Sequence, residues 1–169
     1  MQRKSVHVVI FSFCLSASLL LSAAEPSPGV LGVEDLKRVV PASYFFRGQS
    51  ASVQLRNAAG FRAADGKLVL AGLVDTSGYS SDVAEKYQGF LITEIKLSIE
   101  GSELPPGQYG FGFSKQGKFV VMDVGANDLL NIDSHVDDKL QRAVPLKIVA
   151  DQGSFRLYAG KKWVSVKAQ

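Results

Sequence analysis

The chain has 169 residues, 46% of them hydrophobic, with 19 basic and 16 acidic side chains. This is enough for one domain with a core of its own, and the lack of a dense Lys/Arg cluster argues against a nucleic-acid-binding protein. The single cysteine, Cys14, lies in the N-terminal segment. The rest of the chain therefore excludes disulfides, thiolate metal sites and a cysteine nucleophile.

The first 24 residues have the pattern of an export signal. Two basic residues precede an apolar run over residues 8–21, and residues 22–24 (SAA) are the small residues that signal peptidase requires. The run is shorter than the roughly 20 apolar residues of a membrane span, and Cys14 is not placed for lipid attachment. We therefore expect cleavage before Glu25 and a secreted bacterial protein, periplasmic or extracellular, with no membrane span in its mature form.

The remaining chain begins with two short segments and continues as a series of strands. Residues 25–32 (EPSPGVLG) predict a flexible leader, and residues 33–40 (VEDLKRVV) predict two helical turns that stop at Pro41. Beyond them, β-type patterns recur at intervals of about 8–12 residues, separated by turn-forming residues. The predicted strands are 44–47, 52–56, 61–63, 67–74, 90–99, 108–113, 118–124, 129–132, 143–150, 155–158 and 162–167.

The strand patterns predict one antiparallel all-β domain over residues 33–169. Residues 67–74 (KLVLAGLV) form a nearly continuous apolar run, which is typical of a strand covered on both faces. Residues 114–117 (SKQG) separate two strands as a four-residue hairpin loop, with glycine available for a positive φ. The spacing favours a β-sandwich or small barrel of about 8–10 short strands, with a short N-terminal helix.

The segment 109–113 (YGFGF) has two possible interpretations. In a strand, the three rings share one face and the two glycines leave the other face bare. The rings could form a ligand platform, but three exposed rings would make a costly apolar patch on a monomer. Burial of the rings is therefore the favoured interpretation, with the glycines on a crowded or sharply curved face.

A second feature of the same region is the sequence of residues 104–109 (LPPGQY). It resembles the start of a strand in prealbumin-like, carboxypeptidase regulatory-like bacterial β-sandwich modules. The resemblance extends over about 15 residues. It implies a sandwich fold and no catalytic residue, because such modules usually carry none.

Catalytic motifs are scarce in this sequence. His7 lies in the predicted signal, so a Ser-His-Asp mechanism would depend on His135. The chain has no G-x-S-x-G, no H-E-x-x-H and no phosphate-binding glycine loop. We expect no cofactor.

The best polar cluster is the alternation Asp133, His135 and Asp137, which an extended segment would present on one side. One imidazole and two carboxylates could hold a divalent cation. The spacing also fits an ordinary solvated loop, which is the favoured interpretation, and it lacks the glycine and terminal glutamate of an EF-hand. Asp123 and Glu94 are further candidates for a carboxylate of perturbed pKa, although outward-facing, paired positions would also account for them. The aromatic residues of the last predicted hairpin, Phe155, Tyr158 and Trp163, are expected to close the core.

Loops at one end of the domain form the expected binding surface. If consecutive strands run up and down, alternate loops lie at the same end, and long loops on a rigid scaffold concentrate binding residues. The loops predicted to share this end are 57–60, 75–88, 114–117, 133–142 and 159–161. They carry the candidate ligand-binding residues Tyr79, Tyr87, Lys115, His135 and Lys161.

Three functions are compatible with this sequence. The favoured one is an exported, non-catalytic β-domain that binds an envelope component, a partner protein or a small ligand through these loops. The second is a hydrolase or metal-dependent enzyme that uses His135 with Asp133 or Asp137. The third is a structural envelope protein without a ligand.

Overall fold

A computed structural model describes residues 28–169, and the predicted signal peptide and residues 25–27 of the predicted leader lie outside the described residues. Two short helices are present, α1 (Val33–Val39) and α2 (Ser81–Lys86). The strands are β1 (Gly29–Val30), β2 (Ser43–Phe46), β3 (Gln49–Arg62), β4 (Leu68–Val74), β5 (Gly89–Thr93), β6 (Leu97–Ile99), β7 (Ser102–Leu104), β8 (Gly107–Phe113), β9 (Lys118–Met122), β10 (Asp128–Asp133), β11 (His135–Val136), β12 (Val144–Asp151), β13 (Ser154–Gly160) and β14 (Lys162–Ala168).

The strands form two antiparallel sheets. The large sheet has the order β1-β3-β4-β5-β8-β9-β10, with β2 paired to β3. The small sheet has the order β12-β13-β14-β6-β7, with β11 paired to β14. The prediction of an antiparallel all-β sandwich is confirmed, and the four-residue hairpin between β8 and β9 has its glycine, Gly117, at φ 78°.

The main core lies between the two sheets and contains the rings of the YGFGF segment. Tyr109, Phe111 and Phe113 are 8%, 0% and 6% exposed. Phe111 packs against Phe119 of β9 with ring centroids 5.6 Å apart, and the small sheet closes this core with apolar residues of β12, β13 and β14. The prediction that the rings are buried is confirmed.

A second core covers the opposite face of the large sheet. It is formed beneath α1, α2 and the flap, which we define as β2 with the first part of β3 (residues 43–53). Leu36 anchors α1, Val83 anchors α2 and Phe46 anchors the flap. Because both faces of the large sheet are covered, β4 is buried along most of its length, as its continuous apolar run predicted.

The two glycines of YGFGF lie under this second layer. A Cβ atom at Gly110 would be 2.4 Å from the Phe46 ring, and a Cβ at Gly112 would be 2.0 Å from the Lys86 carbonyl oxygen. No side chain fits at either position without displacing a neighbour. The glycines therefore permit the flap and the end of α2 to approach the sheet.

The division of the chain into strands was predicted wrongly at two places. The predicted strands 52–56 and 61–63 are one strand, β3, which bends at a register shift between Val53 and Ala58. The first part of β3 pairs with β2 in the flap, and the last part pairs with β4. The predicted strand 90–99 is two strands, because the Thr93 hydroxyl donates to the Ile95 carbonyl (2.6 Å) in a turn that carries the chain from the large sheet to the small sheet.

Alkaline pH should weaken the packing of the flap. Burial raises the pKa of Tyr44 from 10.0 to about 12. Both the folded and the unfolded chain keep the Tyr44 proton below pH 10, whereas between pH 10 and 12 the unfolded chain loses it first, so the free energy of unfolding should fall over this interval. Urea unfolding at a series of pH values measures the slope. In a Tyr44→Phe variant, the free energy of unfolding should fall less steeply with pH. An unchanged slope in that variant would show that Tyr44 does not cause the fall.

Candidate functional site

The segments 75–88 and 114–117 meet at one end of the large sheet. The Gln88 side chain binds the backbone of Phe113 twice, since its Nε2 donates to the carbonyl oxygen (3.1 Å) and its Oε1 accepts from the amide (3.0 Å). The backbone amide of Gln88 also donates to the Phe111 carbonyl (2.8 Å). These three hydrogen bonds fix the end of the α2 segment to the end of β8.

The segments 133–142 and 159–161 are joined to the same end. The Ser134 amide and hydroxyl both donate to the Gly117 carbonyl at 2.8 Å. The Asp137 amide donates to the Lys161 carbonyl at 2.9 Å, and the Lys162 ammonium donates to the Ser114 carbonyl. Four of the five loops expected at one end therefore lie together there, and we call this set of segments (75–88, 114–117, 133–142 and 159–161) the rim.

The fifth expected loop is not part of the rim. Residues 57–60 belong to β3 and pair with β4, with Ala58 opposite Gly72 and Gly60 opposite Leu70. The small residues Asn-Ala-Ala-Gly suggested a turn, but they lie at the bend of a long strand, where small side chains accommodate the overlying layer.

A groove runs across the rim between α2 and the 114–117 turn. Its volume is about 470 Å³, and a second depression of about 390 Å³, also lined by Glu85, extends it to Lys115. Val120 of β9 lies at its base and is 2% exposed. The polar side chains that line the groove include Asp82, Glu85, Gln116, Lys118 and Asn131.

Helix α2 is oriented so that its acidic side chains face this groove. Val83 and Tyr87, four residues apart, are buried against the large sheet, which turns Asp82 and Glu85 outward. Sequence reasoning did not select Asp82 or Glu85, although the apolar spacing of Val83 and Tyr87 was a signal from which their orientation could have been inferred.

The charges of the groove are partly paired. Lys86 contacts Asp128 (2.8 Å), and Lys118 contacts Asp133 (2.7 Å) across the β9–β10 pair. Within residues 28–169, no ion pair joins Glu85 or Lys115 to an oppositely charged side chain. The charges of these two exposed side chains are therefore free to contact a ligand in the groove.

The two candidate tyrosines of the rim contribute to the second core. Tyr87 is fully buried and stacks on Phe46 with ring centroids 3.9 Å apart. Tyr79 is half-buried, and its hydroxyl donates to the Phe46 carbonyl (3.0 Å) of the flap. A surface ligand has no access to Tyr87, so of the predicted set only Lys115, His135 and Lys161 are exposed.

His135 lies on the outer face of the small sheet. Its ring stacks on Trp163, its direct neighbour in the β11–β14 pair, with centroids 4.4 Å apart. Its Nε2 is 3.1 Å from a Glu100 carboxylate oxygen, and the other oxygen of Glu100 accepts from the Ser165 amide. The Arg156 guanidinium lies 4.3 Å from the Trp163 ring centre. Neither Glu100 nor Trp163 was predicted to contact His135, because the contact depends on a pairing between distant strands.

The other aromatic and acidic candidates have structural roles. Phe155 packs on Phe61 in the main core with centroids 3.8 Å apart. The Tyr158 hydroxyl donates to Asp137 (3.1 Å). Asp123 accepts from the Asn127 side chain (2.8 Å) and from backbone amides of its turn, which lowers the pKa of its carboxyl group. Glu94 accepts from the Leu68 amide (2.7 Å) at the end of a strand pair.

The three candidate metal ligands contact different partners. Asp133 contacts Lys118, His135 contacts Glu100, and Asp137 accepts from Tyr158. Among residues 28–169 no group of three or more His, Cys, Asp or Glu side chains is arranged to hold a metal ion.

Divalent cations should therefore leave the stability of the domain almost unchanged. A metal that binds only the folded state, at a concentration a hundredfold above its Kd, would add about 2.7 kcal/mol to the free energy of unfolding. We expect millimolar Zn²⁺, Mn²⁺ or Ca²⁺ to move the melting temperature by less than about 1 °C relative to chelator. A rise of several degrees that disappears in His135→Ala would establish the metal site instead.

Comparison of the chain with models of known families, with curated proteins and with solved structures found no match. No helix within the described part, residues 28–169, is long and apolar enough to cross a membrane.

Proposed function

We propose that this protein is an exported, non-catalytic β-domain that binds an envelope component, a partner protein or a small ligand through the rim. The observation that supports this most strongly is the set of hydrogen bonds that joins the four rim segments at one end of the domain, where two of them, 75–88 and 114–117, line a groove. A preformed concave surface costs little ordering entropy when a ligand binds. Loops fixed on a rigid sheet are also where binding residues concentrate.

The lining of the groove favours a polar ligand. Glu85 and Lys115 offer charges of opposite sign, and Gln116 and Asn131 offer amide donors and acceptors. Such a set recognises ligands by several directed hydrogen bonds, as in oligosaccharides or extended peptides. The apolar residues of the lining are Val120, Ala84 and Phe113.

Export is part of the same proposal. It is supported by the signal pattern of residues 1–24. The likeness of residues 104–109 to prealbumin-like modules is compatible with a binding role in the bacterial envelope. In the fold, these residues connect β7 to β8.

Amide shift mapping by NMR tests the location of binding. The probes are a panel of short peptides, neutral oligosaccharides and acidic oligosaccharides added to the mature domain. At least one probe class should shift amide signals of α2 and of the 114–117 turn, while signals of the 63–67 turn at the other end of β4 stay unchanged. Shifts confined to other surfaces would contradict the proposal, and so would no shift with any of the probes.

A further inference from the structure

Strand β10 is an open edge of the large sheet. It is the last strand in the order of that sheet, and within residues 28–169 only β9 pairs with it. The Ser134 amide donates to the Gly117 carbonyl in continuation of this pair. Since bonded and non-bonded positions alternate along an antiparallel pair, Ile132 also directs its backbone groups to β9. Asn131 and Asp133 therefore direct their N–H and C=O groups to the open side.

The other edge strands of the described chain are shorter than β10 or contain proline. The strands β1, β2, β7 and β11 have two to four residues each, and β12 contains Pro145, which has no N–H group. Short length and proline protect sheet edges from pairing with a further chain. In contrast, β10 has six residues (DLLNID) with neither proline nor lysine. Its backbone groups are therefore a suitable partner for an extended peptide.

This open edge also borders the groove. Asn131 is exposed and lines the groove, whereas Leu130 and Ile132 pack against the main core. Residues that lie opposite each other in a strand pair point to the same face, and successive residues alternate between faces. A strand added beside β10 would therefore direct every second side chain to the groove face, on which Asp82 and Glu85 of α2 lie.

The charges around this edge favour a basic peptide. Strand β10 carries two aspartates and no basic residue, and these aspartates pair with Lys86 and Lys118. Within residues 28–169, no basic side chain pairs with Asp82 or Glu85, and Lys115 lies in the second depression, which β10 does not line. A lysine or arginine of the added strand would meet these unpaired carboxylates. A second copy of β10 would bring only acidic side chains, which disfavours self-pairing.

We propose that the ligand of the groove is a basic, extended peptide segment of a partner protein, which pairs with β10 as an additional strand of the large sheet. This proposal rests on the proposed binding at the rim and names the class of ligand. Backbone hydrogen bonds to Asn131 and Asp133 supply affinity, and the alternate side chains that enter the groove supply selectivity.

N-methylated peptides test the strand pairing. The probe is a capped peptide of about eight residues in which threonine alternates with lysine. In an added strand, the N–H groups of one alternate set point to β10 and those of the other set point to solvent. N-methylation of one set should therefore weaken binding to the mature domain by at least about tenfold, measured by calorimetric titration, and N-methylation of the other set should leave it unchanged. Equal effects of the two sets, or no binding of the unmethylated peptide, would overturn the proposal.

Asn131→Pro is the matching change in the protein. Proline removes an N–H group that β9 does not use, so the melting temperature should stay within about 3 °C of that of the natural chain. The variant should lose binding of the threonine–lysine peptide. Asn131→Ala is the control, because it keeps the backbone N–H, and it should bind the peptide within about threefold of the natural chain. Equal losses in the two variants would overturn the proposal. The methylated peptides are tested on the natural chain and do not depend on the folding of either variant.

Amide shift mapping separates this proposal from binding at the rim itself. The threonine–lysine peptide should shift the amide signals of Asn131 and Asp133 together with those of α2. Shifts at α2 and the 114–117 turn with an oligosaccharide, and none with the peptide, would overturn the strand pairing and leave the rim as a binding surface. No shift with any probe would contradict both proposals.

Discussion

Replacing Gly112 by alanine should destabilise the domain by about 3 kcal/mol or more. An alanine Cβ at this position would lie 2.0 Å from the Lys86 carbonyl oxygen and 2.8 Å from its carbonyl carbon. Both atoms belong to the backbone at the end of α2, so no side-chain rotation relieves the clash, and overpacking of this kind is costly. The helix must move away from the sheet, which also disturbs the groove. Denaturant unfolding of the variant measures the loss.

Gly78→Ala is the matched control for this experiment. Gly78 lies in the loop before α2, and an added Cβ would have its nearest neighbour, Gln49, at 3.7 Å, which is ordinary van der Waals contact. The control should change the free energy of unfolding by less than about 0.5 kcal/mol. An equally small effect of Gly112→Ala would show that α2 does not pack on this strand as described.

Truncation of Phe111 to alanine should cost about 3–5 kcal/mol. The ring is fully buried between the sheets and packs on Phe113 and Phe119. Its removal loses the transfer free energy of the ring and leaves a cavity that the β8–β9 pair closes only in part. The measurement is the free energy of unfolding from a denaturant titration, with unchanged m-value as the check that both states are comparable.

Phe45→Ala provides the corresponding surface control. Phe45 lies on β2 with 58% of its surface exposed, so its truncation should cost less than about 1 kcal/mol. A loss below 1 kcal/mol for Phe111→Ala, together with loss of binding, would instead show that the YGFGF rings form a ligand platform.

Most of the fold prediction came from strand patterns, in which residues of one type recur at every second position. The alternation of rings and glycines in residues 109–113 specified which face is buried, because successive strand residues point to opposite sides. The continuous apolar run of 67–74 indicated a strand covered on both faces. What covers the second face could not be predicted, since the flap and α2 reach it through contacts between residues far apart in the sequence.

The errors occurred where local patterns do not distinguish a bend from a break. Residues 90–99 keep their alternation across the Thr93–Ile95 turn, so the pattern does not show that the chain changes sheets there. Residues 57–60 resemble a turn in composition but bend within β3.

The candidate site was predictable in position and less so in composition. Lys115 lines the groove as its loop position suggested, whereas Tyr87 was interpreted as a loop residue and lies in the core. Tyr87 lies four residues after Val83 of α2, so both side chains point to the same, buried side. Glu85, between them, points outward. Whether a tyrosine in a loop is buried depends on the packing around it.

The most direct test of binding at the rim is native mass spectrometry of the mature protein purified from the cell that produces it. Three forms are compared: the natural chain, Glu85→Ala/Lys115→Ala in the groove, and Asp65→Ala/Lys67→Ala. The last pair removes an exposed ion pair of 3.1 Å at the opposite end, and both variants leave the net charge unchanged. We predict an additional mass on the natural chain and on the Asp65→Ala/Lys67→Ala control that is lost or reduced in the groove variant. No additional mass on the natural chain, or full retention in the groove variant, would contradict binding through the rim.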